Sequence, residues 1–133
     1  MKADLRELFE RPNVVHVATL LPDGSPHSVP VWARLEGERV AFFTQPSSRK
    51  ARNLAADPRV AISIADRENP YWMGQARGRV AETLEGDEAL ELIDRLAHDY
   101  TGKPFPMRSG VVYLVDVEHE HTMKLPFEPP PSS

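Results

Sequence analysis

Between Thr44 and Asn53 the chain reads TQPSSRKARN, and Arg49, Lys50 and Arg52 fall within four residues, directly behind Ser47 and Ser48. These residue types at this spacing suit an anion. A helix that begins here leaves its first backbone N–H groups unpaired and carries a partial positive charge at that end. Hydroxyls at Ser47 and Ser48 add donors, and Arg49 or Lys50 adds full charge, so a phosphate group would find a seat. The same residues also describe a capped helix whose basic side chains are simply solvated. The pattern alone does not separate the two.

Other residues carry weaker signals. His119 and His121, in EHEHTM, alternate along a strand and share a face, as two ligands of a metal ion would. No third ligand stands near them, and a protein metal site usually takes three or four, so no metal site is expected. His16, between Val15 and Val17, should point away from them and toward solvent, and His27 also sits in an expected strand. Trp32, Tyr71, Trp72, Phe42 and Phe43 would build either a core or a ring pocket. The core is the commoner use for the two phenylalanines, whereas Trp32 follows the awkward Pro30 and is the better site candidate. Tyr100, Lys103 and Arg108 are read as part of a loop that either covers a ligand or only connects elements. No pair of carboxylates stands out for acid–base work, the acids of DRENP (66–70) read as loop solvation, and no catalytic residue is assigned.

Sixteen basic residues against 20 acidic ones give a formal charge of −4, so no global field attracts nucleic acid and any anion site must be built locally. Cysteine is absent. That excludes disulfides, thiolate metal sites and cysteine nucleophiles, and leaves redox chemistry dependent on a cofactor. The first 13 residues are charged throughout and lack the apolar run of a signal peptide, and no stretch of about 18 apolar residues occurs. A cytoplasmic protein with no membrane contact is the expectation. At 133 residues the chain suits one domain, read as 1–125, followed by a Pro-rich tail, 126–133, expected to be frayed or extended.

The elements that must position these residues follow from periodicity. Leu5, Leu8 and Phe9 after Asp4 mark a short amphipathic helix that Pro12 ends. Strands are expected over 14–20 and 26–35 around the turn 22–25, then over 39–44 after the turn 36–38. Pro30 gives no ladder donor, so it belongs at an edge or a bulge, with a local break in its strand. A helix over 48–57 presents Ala51, Leu54 and Ala55 on one face and stops at Asp57-Pro58. Strands at 59–65 and 71–84 follow, the second with bends or bulges at Gly74 and Gly78. Leu90, Ile93, Leu96 and Ala97 make the stripe of a helix over 87–100, with Gly86-Asp87 as its cap, before a loop (101–110) and a last strand (111–118). Six strands mostly joined by hairpins, with three short helices, argue for a small antiparallel barrel, mainly β within the α+β class.

Taken in order, PDGSP (22–26), VPVW (29–32), Thr44, SRKARNLAADPRVAISI (48–64), NPY (69–71), GRV (78–80) and YTGKPFP (100–106) resemble the pyridoxamine 5′-phosphate oxidase-like superfamily of split β-barrel flavin-binding proteins. The likeness runs over about residues 5–123. RKARNL, DPRV and YTGK are most similar to the branch that uses the deazaflavin coenzyme F-420. The resemblance implies a homodimer of six-stranded split barrels with the cofactor at the interface. It implies a cofactor phosphate against residues 47–53, including Ser47, with Lys50 the foremost cationic partner, Ser48 and Arg49 close and Asn53 on the same side. Pro30, Val31 and Trp32 would line the ring and Thr44 would lie beneath its linker. Trp72 and Met73 would approach from the partner chain or line the substrate cavity. The implied activity is hydride transfer from reduced F-420, with FMN as the alternative cofactor, to a small electron-poor acceptor such as an unsaturated carbonyl, a quinone or a tetrapyrrole-like compound. A non-catalytic flavin- or tetrapyrrole-binding module is the other implied role.

Overall fold

A computed structural model describes residues 1–129 and 131. The chain runs α1 (Ala3–Glu10), β1 (Val15–Leu20), β2 (Pro26–Val31), β3 (Ala33–Glu36), β4 (Arg39–Thr44), α2 (Arg49–Ala56), β5 (Arg59–Ala65), β6 (Trp72–Leu84), α3 (Gly86–Thr101) and β7 (Val111–Lys124). All seven strands join one antiparallel sheet in the order β2-β1-β5-β6-β7-β4-β3. The fold is a mainly β split barrel with three helices and seven strands among the described residues, not six.

The extra strand comes from Trp32. Val31 still pairs with Val15 of β1, while Ala33 already pairs with Phe42 of β4. β2 and β3 are therefore the two edges of the sheet, and a single residue joins them. A sheet whose opposite edges are linked by one residue must curl until they meet, and its right-handed twist favours that curl. Pro30 sits opposite His16 inside the edge strand β2, where a missing donor is tolerated, and the break falls two residues later.

Leu5, Leu8 and Phe9 of α1 plug the barrel against Val15, Val17, Phe42, Ile62, Ile64 and Val115. A second cluster lies outside the barrel, where Ala89, Leu92 and Ile93 of α3 cover Ala41, Val112 and Leu114. Leu90, expected in the stripe, sits at its margin. Asp87 lies within the first turn of α3 and the N-cap is Glu85, whose side chain makes no capping bond. Gly102 ends α3 in the left-handed region, φ 77°, with its N–H donating to the His98 carbonyl at 2.9 Å.

β7 extends six residues past its expected end because β6 pairs with it throughout, to Trp72 opposite Lys124. The register slips between Arg77 and Gly78 and again between Val80 and Glu82. Gly78 thus marks a bulge as expected, and an added Cβ there would stand 1.9 Å from the Asp116 carbonyl oxygen. Gly74 marks no bulge: its missing side chain makes room for Leu5 of α1. The expected tail, 126–133, lies outside the described residues at 130, 132 and 133. Phe127 within it packs 5.3 Å from the Tyr71 ring. No helix among the described residues is long and apolar enough to cross a membrane.

Candidate functional site

The start of α2 is fixed by hydroxyls. Ser48 is its N-cap, and its Oγ accepts from the Ala51 N–H at 3.1 Å and from the Thr44 hydroxyl at 2.9 Å, tying the end of β4 to the first turn of the helix. The buried face of α2 is Lys50, Ala51, Asn53 and Leu54, while Ala55, expected on that face, is exposed. Arg52 is exposed and Arg49 half-buried, as a solvated helix would have them; Lys50 is only 8% exposed. It makes no hydrogen bond or ion pair among the described residues, and burial pushes its ammonium pKa down. A buried cation without a partner is costly, and a bound anion would offset that cost.

Lys50 lines a cleft of about 440 Å³ together with Pro30, Val31, Trp32, Phe43 and Thr44. Five of the expected site residues thus meet in one place: the end of β2, the Trp32 link, the end of β4 and the first turn of α2. Ser47, Ser48, Arg49 and Asn53 do not line it. Ser47 is exposed nearby, whereas Asn53 is 2% exposed and donates from Nδ2 to Thr19 Oγ1 at 3.0 Å, leaving its Oδ1 unpaired.

Trp32 forms the wall between this cleft and a larger one. Its ring stacks on Tyr100, with centroids 5.3 Å apart and planes 14° from parallel, and meets Phe43 and Phe105 edge-on at 6.3 Å. Tyr100 sits in the last turn of α3, not in a loop. Its hydroxyl lies within donating distance of the Asn13 (2.6 Å) and Ala33 (3.0 Å) carbonyls and accepts from the Ala33 N–H at 3.1 Å. Burial pushes its pKa up, so it stays protonated.

The larger cleft, about 1030 Å³, shares Val14 and Trp32 with the first and spreads over the open face of β1, β5, β6 and β7. Register sets a transverse polar row on its floor. His16 lies opposite Ser63, Ser63 opposite Gln75 and Gln75 opposite His121. Met73 lines this cleft, opposite Met123. Trp72, one residue earlier, faces the core at 6% exposure, with the Arg11 guanidinium 5.0 Å and the Lys124 ammonium 4.7 Å from its ring centroid. Strand alternation decides this pair: the two neighbours cannot both face the cleft.

Sequence reasoning left this row unassembled, because it depends on the register of four strands. Asp66, expected as loop solvation, is 3% exposed and accepts from Asn13 Nδ2 at 3.3 Å, the Asn69 N–H at 3.0 Å and Arg11. A signal for that existed, since Val60, Ile62 and Ile64 face inward and Asp66 continues their phase. Among the described residues no group of three or more His, Asp or Glu could hold a metal ion; His121 lines the larger cleft instead.

A family profile described as pyridoxamine 5′-phosphate oxidase matches residues 1–124. A curated pyridoxine/pyridoxamine 5′-phosphate oxidase of Rubrobacter xylanophilus is 28% identical over 131 aligned positions, covering 77% of this chain; the match spans 60% of that protein's length. Among solved structures, an F-420 reductase superposes with a TM-score of 0.79 at 31% identity, over 87% of this chain and 94% of that one. A conserved hypothetical protein of Mycobacterium tuberculosis superposes with a TM-score of 0.80 at 23% identity, over 100% of this chain and 93% of that one, a likeness of fold.

Proposed function

The chain belongs to the pyridoxamine 5′-phosphate oxidase family, and on that premise we propose that it is an oxidoreductase that binds F-420 and passes a hydride from the reduced cofactor to a small electron-poor acceptor. Lys50 carries the reading. It is a largely buried lysine with no hydrogen bond or ion pair among the described residues, and it lines a cleft whose other walls include a proline, a valine and a stacked tryptophan. Charge at one end and flat apolar surface at the other match a phosphate-bearing ring system.

In this reading Lys50 holds the phosphate, with the hydroxyls of Ser47, Ser48 and Thr44 near it and Arg49 at the rim. Pro30, Val31 and Trp32 set the plane of the ring, and Tyr100 and Phe105 hold Trp32 in place. The bound cofactor supplies two-electron hydride chemistry, so the chain's own contribution is to bind, orient and exclude water. Both clefts are open, and Val14, Met107 and Met123 on their rims are 50%, 48% and 46% exposed. A second copy of the chain closing them, with the cofactor between, supports the homodimer in this reading.

The F-420 reductase superposition at 31% identity favours the deazaflavin. FMN is the rival cofactor, because the cleft reads a phosphate and a flat ring that both share. Titration of cofactor-free protein with each, followed by fluorescence, separates them. Turnover of bound reduced cofactor with an added enone or quinone separates an enzyme from a carrier. Tight binding without reoxidation of the cofactor would make the protein a carrier.

A further inference from the structure

Reduction of a carbon–carbon or carbon–oxygen double bond consumes a proton as well as a hydride, and no residue of the smaller cleft is free to give one, since Lys50 is held by the phosphate in the reading above. The larger cleft adjoins it through Trp32 and Val14. Its floor begins at His16, which pairs on one side with Pro30 of the ring wall and on the other with Ser63. His16 is exposed and lines the cleft. Strands are spaced about 4.8 Å apart, so its backbone is one strand from the ring wall.

The other titratable and charged groups facing this cleft are Asp66, Arg67, Tyr100 and His121. Asp66 is engaged by Arg11, Asn13 and the Asn69 N–H. Arginine does not give up its proton. The Tyr100 hydroxyl is occupied by the Asn13 and Ala33 backbone. His121 lies at the far end of the row, three strands from His16, or roughly 14 Å at that spacing.

We propose that the larger cleft is the acceptor site and that His16 is the catalytic residue that protonates the acceptor. The assignment rests on the cofactor reading above. For an α,β-unsaturated ketone, the β-carbon gains a hydride from the reduced cofactor, the carbon–carbon π pair moves toward the carbonyl, and the α-carbon takes the proton of the His16 imidazolium. The acceptor is reduced and the cofactor oxidised by two electrons, and the neutral imidazole recovers its proton from water. Ser63 and Gln75, next along the row, are placed to hydrogen-bond the acceptor's oxygen.

The test uses cyclohex-2-en-1-one with wild-type and His16→Gln protein. In cofactor-free wild type, the enone should shift the NMR signals of the His16 ring and the Gln75 side-chain amide; an enone that leaves both unmoved overturns the acceptor site. With reduced F-420 bound, His16→Gln should lower kcat roughly 100-fold with cofactor affinity retained. An unchanged kcat in His16→Gln overturns the role of His16. A wild type that binds cofactor yet reduces neither enones nor quinones is a carrier and overturns this proposal alone, whereas a wild type that binds no cofactor overturns the cofactor reading.

Discussion

Lys50 concentrates the tension between stability and function. Burial holds its ammonium pKa below the ordinary 10.5, so between that lowered value and 10.5 the folded chain binds fewer protons at this site than the unfolded chain. Stability of the ligand-free protein therefore rises with pH across that window. Anion affinity runs the other way, falling as pH climbs through the lowered value and the ammonium is lost. Lys50→Met removes the unpaired charge at similar volume. It should raise the Tm of the ligand-free protein while weakening cofactor binding by about 1.5–3 kcal/mol, roughly 10- to 150-fold; thermal melts and fluorescence titrations at pH 7 check both. Single residues were legible in the sequence only in part. Lys50 stood out by its neighbours, but its burial was not visible, because the apolar stripe of α2 pointed to Ala55 while the folded helix turns Lys50 and Asn53 inward.

Elements were more legible than their joints. Each expected helix and strand forms, since periodicity reports local burial, but the division of 26–35 at Trp32 depends on which edge each half joins. Tyr100 secures that joint by bridging Asn13 and Ala33. Tyr100→Phe keeps the stack on Trp32 and loses the bridge, so it should cost about 1–3 kcal/mol of stability in urea melts and much less in cofactor affinity. The two tight glycines of β6 should behave differently. An alanine at Gly74 meets the Leu5 side chain, which can shift, at about 1–3 kcal/mol. One at Gly78 meets the backbone carbonyl of Asp116, which cannot, so Gly78→Ala should be the more destabilised of the two in the same melts.

At the scale of the molecule, one residue joining opposite edges of a sheet produces both the barrel and the wall between its two clefts. The lining of the smaller cleft was legible in part because it comes from short continuous stretches, 30–32, 43–45 and Lys50. The larger cleft was not, because its floor is a row across four strands whose register no local pattern fixes. The proposed homodimer predicts that light scattering of the purified protein gives twice the 15.0 kDa chain mass; a monomer at binding concentrations would remove the interface from the account. The most direct test of the central claim is equilibrium binding of F-420 and FMN, in parallel, to cofactor-free wild-type and Lys50→Ala protein, read by cofactor fluorescence. The account predicts tight binding of F-420, weaker binding of FMN, and a roughly 10- to 150-fold weakening of both in Lys50→Ala. Wild type that binds neither, or a Lys50→Ala variant that binds as well as wild type, would contradict it.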